Sequence, residues 1–502
     1  MKKNCQIGIS IKWGFINCYR SITLNAIFNV FNKALSVIFP VITIAYVSRV
    51  LGAAGIGVVA SAQNLATYFT MFAALGIPSY GVKAISQSKT DKNECNKVFS
   101  ELFLVNLFST LICFGVYFIL LGLLKKTYTY TEISLVFSVL ILMNMFNIEW
   151  VYQGFEEYKY IALRSLFIKI IALVLLFFLV RSERDILGYA VVLCIGTVGN
   201  NILNMVKVGK FVKFTFKGLN IKRHLVSIMT FFVSVVAIEI YSLLDITMLT
   251  AMKSSECVGF YTNATKIVKM IANTITSLSA VLMPRLSYYF SVQNYDGIKD
   301  VSRKFLKVSL LISVPAFLGI ITSDYIVKLF FGDSFMPVSL TIRILSVLII
   351  SMPLTGGVFC QLLLTSGYEK KYFVCVLLGS IVNASCNYLL IPNLNQNGAA
   401  LASIISELLV CLTMILFSRK VVRVQISFKD FICVVGPAVI MALIIQGLKI
   451  VLFALQFNTI ISLVIIVVAA IIIYGVALVI LNNEEVISIL HRKQTDNDIK
   501  TT

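Results

Sequence analysis

Eight ionisable residues fall inside apolar stretches of this sequence: Lys33, Lys169, Glu239, Asp245, Lys266, Lys269, Arg343 and Glu407. A charge at the centre of a bilayer costs about 2.5–3.5 kcal/mol, so eight facing hydrocarbon would cost roughly 20–28 kcal/mol. They are expected to face a wet interior or to pair with one another. Asn25, Asn29, Lys33 and Ser36 step by four, four and three residues, which places them on one stripe of a helix. Asn263, Lys266, Lys269 and Asn273 form a second stripe, and Glu239, Ser242 and Asp245 a third. An ammonium is a point-charge binder of phosphate. Lys33, Lys266 and Lys269, with Arg343 and the carboxamides of Asn29 and Asn263, are therefore the candidate binding set for an anionic head group such as a diphosphate. Asp245 and Glu239 are candidate carriers of a coupling proton or ion. The structural alternatives are lysines that snorkel to an interface or pair with Asp245 or Glu239. Lys169 and Glu407 read as structural or interfacial. Asn383 and Asn387, at i and i+4, read as helix–helix hydrogen bonds.

The elements that must position these residues follow from composition. Of 502 residues, 59% are hydrophobic and only 13% charged. A soluble fold with that balance would lack a polar shell, and a disordered chain would be polar and poor in aromatics. Runs long enough to cross a bilayer lie at 22–47, 56–80, 98–124, 131–152, 161–180, 186–206, 225–252, 257–283, 305–331, 337–366, 372–391, 397–418, 431–455 and 459–481. The expectation is an all-α polytopic membrane protein of about fourteen helices. The polar segments near 81–97, 207–224 and 284–304 are the longest loops, and none is long enough for a soluble domain. The N-terminal apolar run is read as a retained helix, being too long for a signal core.

The net charge is +20. One alternate set of polar segments carries 29 basic residues and the other six. The positive-inside rule then places both termini in the cytoplasm, and nucleic acid is not the partner that this charge implies. Most of the eleven cysteines lie in apolar runs and read as small buried hydrophobes. No P-loop, GxSxG, HExxH or paired CxxC occurs, so no enzymatic activity, cofactor or metal is expected.

A weak internal repeat relates Leu51–Asn64 to Lys253–Lys266, aligning Gly57 with Gly259 and Ala62 with Ala264. It suggests two six-helix lobes, 1–224 and 225–425, around a central cavity, with 426–502 carrying two further helices and a cytoplasmic tail. Pro40 and Pro315 are expected to kink their helices.

Particular stretches resemble a known family. PVITIAYVSRVLGAAGIGVVASAQNLATYFTMFAALGIPSYGVKAIS (Pro40–Ser86), VPAFLGIITSDYIVKLFFGDSF (Val314–Phe335), LLTSGYEKKYF (Leu363–Phe373) and GSIVNASCNYLLIPNLNQNGAALASIISELL (Gly379–Leu409) are similar to bacterial polysaccharide flippases. These are Wzx-type members of the multidrug/oligosaccharidyl-lipid/polysaccharide exporter superfamily. The resemblance covers roughly residues 20–480. It implies a two-lobed bundle of the bacterial inner membrane that moves polyprenyl-diphosphate-linked oligosaccharide repeat units between leaflets by alternating access. Such units serve O-antigen or capsule biosynthesis. Membrane lipids, a polysaccharide polymerase and a chain-length regulator are the implied partners. The alternative is an ion-coupled drug or metabolite exporter of the same superfamily, which would depend on carboxylates such as Asp245 more than on lysines.

Overall fold

The computed structural model describes residues 39–124, 131–320, 323–424 and 427–481. Every regular element among them is helical. The order is α1 (39–74), α2 (Ile77–Ser88), α3 (Lys92–Leu124), α4 (Thr131–Met143), α5 (Glu149–Gly154), α6 (Tyr158–Leu179), α7 (Ile186–Val208), α8 (Lys222–Met252) and α9 (Ser255–Thr276). There follow α10 (Leu282–Ser291), α11 (Tyr295–Gly319), α12 (Ser323–Phe330), α13 (Val338–Leu345), α14 (Leu348–Met352), α15 (Cys360–Thr365), α16 (Glu369–Ser418), α17 (Phe428–Ala454) and α18 (Thr459–Ile480).

Ten helical stretches among the described residues are long and apolar enough to cross a membrane, eleven if α11 and α12, bent by 74° at the break between them, form one span. Two of these stretches, Phe39–Ser88 and Glu369–Ser418, run for 50 residues each. Gly52, at φ +67°, interrupts the first between the expected helices 22–47 and 56–80. Asn395, at φ +51°, interrupts α16 between the expected helices 372–391 and 397–418. With α8 at the expected 225–252, each of the fourteen predicted runs meets helix in its described residues. Most of the first run, with Lys33 and Asn29, lies outside the described residues.

Two of the expected loops are largely helical. Residues 81–97 hold most of α2 and the start of α3, and 284–304 hold α10 and the start of α11. These stretches read as polar in sequence, yet α2 buries Ile77, Gly81, Ala84, Ile85 and Ser88 along one face. The expected span 131–152 is also divided, by a 3-10 turn over Asn144–Phe146. A break within the bilayer frees carbonyls that must find donors. The Asn106 side chain donates to the Asn144 carbonyl at 2.9 Å. Asn201 donates to that of Met143 at 3.1 Å.

The chain divides into two compact units, 1–243 and 244–502, so that α8 begins in one and ends in the other. In the first unit a core of Ile77, Ile85, Phe99, Leu102, Trp150 and Ile228 joins α2, α3, α5 and the early turns of α8. Gly76 stands at φ +72°, where a Cβ would meet the Phe232 backbone nitrogen at 2.6 Å. Only glycine permits that approach.

The first turn of α8 is held by ion pairs. The fully buried Glu101 accepts from Arg223 Nη2 at 2.7 Å and Nε at 3.0 Å. It also meets His224 Nε2 at 2.7 Å, while His224 Nδ1 faces the Tyr80 hydroxyl at 2.7 Å. Arg223 reaches Glu94 with its other amino group. Removing one partner of a buried ion pair strands the others. Glu101→Ala should therefore cost about 3 kcal/mol in thermal unfolding of the purified protein. Breaking the largely exposed Lys89–Glu156 pair with Lys89→Ala should cost less than about 1 kcal/mol in the same measurement.

Candidate functional site

The second unit contains a buried carboxylate served by four donors. Asp245, on α8, is 4% exposed. Its Oδ1 accepts from Asn383 Nδ2 at 3.0 Å and Asn387 Nδ2 at 2.7 Å. Its Oδ2 accepts from the Tyr261 hydroxyl at 2.5 Å and the Ser403 hydroxyl at 2.6 Å. Asn387 also donates to Asn383 Oδ1 at 3.1 Å. The helical repeat explains the convergence. Asn383 and Asn387 are one turn apart on the first arm of α16, and Ser403 comes from its second arm, beyond Asn395. Tyr261 comes from α9.

Donors to both oxygens replace the hydrogen bonds that water would otherwise make to a buried carboxyl group. The group can then offer oxygen to a proton or small cation, and hydroxyl and carboxamide oxygens stand beside it. The helix–helix hydrogen bonds expected of Asn383 and Asn387 are present: both join α16 to α8, and their acceptor is Asp245. The i, i+4 asparagine spacing, with a mid-helix aspartate elsewhere in the sequence, was the available signal. Tyr261 and Ser403 carried none, being ordinary residues of membrane helices.

The other predicted residues are distributed as follows. Asn263 is buried on α9, at 1% exposure, and Lys266 and Lys269 are half-buried on the same helix. Among the described residues no acidic side chain forms an ion pair with either lysine. The expected alternative, pairing with Asp245, is therefore not what the helices arrange. Glu239 is half-buried on α8 and is not among Asp245's donors. Arg343 is engaged elsewhere: its Nη2 lies 2.5 Å from Asp324 Oδ2 and its Nε 3.0 Å from Ser323 Oγ, which ties α13 to α12. Lys449 approaches the same aspartate at 3.9 Å. Glu407 is buried on α16 and accepts from the Thr355 hydroxyl at 2.5 Å, within the π-helical turn Pro353–Phe359.

The sequence profile of a family described as polysaccharide biosynthesis protein matches residues 22–290. A second, MatE, matches residues 231–389. A candidate O-antigen transporter of Escherichia coli (strain K12) is 22% identical over 410 residues, covering 80% of this chain and 97% of the relative. The solved structure of a lipid II flippase, MurJ, in an inward closed conformation superposes with a TM-score of 0.72 at 15% identity. It covers 92% of this chain and 100% of that one. An inward-facing multidrug resistance MATE family transporter has a TM-score of 0.62 at 14% identity, over 76% of this chain and 94% of that one. The fold is thus the one these two transporters share.

Asp245→Ala would leave the buried donors of Asn383, Asn387, Tyr261 and Ser403 without their acceptor, at about 1–3 kcal/mol for each left unsatisfied. A loss of at least about 3 kcal/mol is expected in thermal unfolding. Asn383→Ala, which leaves three donors in place, should lose about 1–2 kcal/mol.

Proposed function

The chain belongs to the polysaccharide biosynthesis protein family, and from that premise we propose that it is a flippase for polyprenyl-diphosphate-linked oligosaccharide repeat units. It carries them from the cytoplasmic to the outer leaflet of a bacterial inner membrane, with both termini in the cytoplasm. The observation that carries this reading is the family match over residues 22–290. The O-antigen transporter relative, of which nearly the whole length is covered, supports it. A polysaccharide polymerase and a chain-length regulator would act on the delivered unit.

In the mechanism we infer, the lobes 1–224 and 225–425 alternate between inward and outward states, with 426–502 as an addition to them. Lys266 and Lys269 supply positive charge for the diphosphate, with Lys33, Asn29 and Asn263 as further binding groups. An ammonium without an acidic neighbour must be offset by water or by an anion brought to it. Arg343 already has a carboxylate partner, so its contribution is secondary and works through the Asp324 pair. Asp245 takes up the coupling proton or ion. Binding there changes the charge that four donors hold in place, and so the packing of α8, α9 and both arms of α16. Glu239 is the second candidate carrier. The drug or metabolite exporter reading is weaker, since the MatE match is confined to residues 231–389.

In cells lacking the protein, mass spectrometry should show a complete repeat unit accumulating on its polyprenyl diphosphate. The wild-type chain should clear it. At equal expression, Lys266→Ala and Asp245→Asn should slow clearance by at least about tenfold, equivalent to about 1.4 kcal/mol. An unchanged lipid pool without a redundant flippase would point to the exporter. Clearance that needs Asp245 but not Lys266 would remove the central-cation mechanism.

A further inference from the structure

Between α7 and α8 the chain runs along the first turns of α3. The Lys213 amide donates to Asn96 Oδ1 at 2.7 Å. The Thr215 amide donates to Ser100 Oγ at 2.9 Å. The Asn220 amide donates to Glu101 at 2.5 Å. Two residues of extended chain advance about 6.6 Å and four residues of helix about 6 Å, so the two backbones stay in step. This registry fixes which residues of the segment face away from α3.

Phe214 and Phe216 form an edge-to-face pair at 4.7 Å. Phe214 leans on Phe103 of α3, with centroids 5.8 Å apart. Phe216 is 77% exposed. Around the pair, Lys210, Lys213, Lys217 and Lys222 are all exposed. Lys97 Nζ lies 3.5 Å from the position a Cβ on Gly218 would take. No acidic residue occurs between Lys207 and Lys222. The nearby Glu94 and Glu101 are occupied by Arg223 and His224. The result is an anchored, strongly basic segment that displays a bare aromatic ring beside the start of a membrane-spanning helix.

We propose that this segment, Lys210–Lys222, is a binding surface for anionic phospholipid. Phe216 enters the interface between head groups and acyl chains, and the surrounding lysines select phosphate-bearing heads of net negative charge. A basic cluster at the end of a spanning helix and an aromatic side chain at the polar–apolar boundary are what such a surface requires. Three hydrogen bonds to α3 hold the segment already shaped, so little order is lost on binding.

The test uses the full chain in lipid nanodiscs, with Phe216→Trp as reporter and the parent protein as background for the native Trp13 and Trp150. Phospholipids brominated on the acyl chain quench indole fluorescence on contact. Quenching beyond the parent should need at least about fivefold less brominated phosphatidylglycerol than brominated phosphatidylcholine, the factor one lysine near an anionic surface supplies. Replacing Lys210, Lys213, Lys217 and Lys222 by glutamine should erase that preference while leaving quenching by phosphatidylcholine. Replacing them by arginine should keep it, and raised salt should weaken it. Equal quenching by both lipids, no quenching beyond the parent, or a preference that survives the glutamine substitutions would each overturn the proposal. Displacement of phosphatidylglycerol by stoichiometric polyprenyl diphosphate would also overturn it, and would make the surface a substrate site.

Discussion

A carboxyl group taken out of water must find other donors in place of the water it has lost. That constraint organises both units of this chain. Asp245 is satisfied by two carboxamides and two hydroxyls drawn from α9 and both arms of α16. Glu101 is satisfied by a guanidinium, an imidazole and a backbone amide. Arg164, buried on α6, is paired with Glu149 and donates to Asn200 at 3.1 Å. Each such cluster binds together helices that apolar packing alone would leave free to slide, because the alternative is an unmatched charge in a medium of low dielectric constant. Lys266 and Lys269 stand apart, half-buried on α9 with no acidic partner among the described residues.

The two clusters on α8 differ in character. At its first turn the partners are ionic and fix where the helix starts. Near its end Asp245 meets, among the described residues, neutral donors: two carboxamides and two hydroxyls. One helix therefore carries an end held by ion pairs and an end held by neutral hydrogen bonds. The division of the chain falls between them, at Leu243 and Leu244.

Much of the fold was legible because a bilayer imposes a coarse rule: spans must be long, apolar and helical. The described parts of the apolar runs meet helix for that reason. Helical segments of polar sequence escaped the rule. α2 and α10 lie in polar sequence and read as loops, and the 3-10 turn at Asn144 is hidden within an apolar run. Of the candidate site, Asp245 was visible as a costly charge, and Asn383 with Asn387 as a polar pair, but not that the pair serves the charge. Contacts at 138 and 142 residues of separation leave no local periodicity to read. Arg343 shows the converse: charge in an apolar run signals a needed partner but does not distinguish a substrate from Asp324.

The central claim is tested most directly by reconstitution. Purified protein in liposomes would be supplied with a polyprenyl-diphosphate oligosaccharide on one leaflet, and its appearance on the other followed by a membrane-impermeant sugar-oxidising reagent under a proton or sodium gradient. The account predicts transfer well above protein-free vesicles, dependent on the gradient with Asp245 intact and slowed when Lys266 is replaced by alanine. Transfer no faster than in protein-free vesicles, from protein shown to be folded, would contradict it.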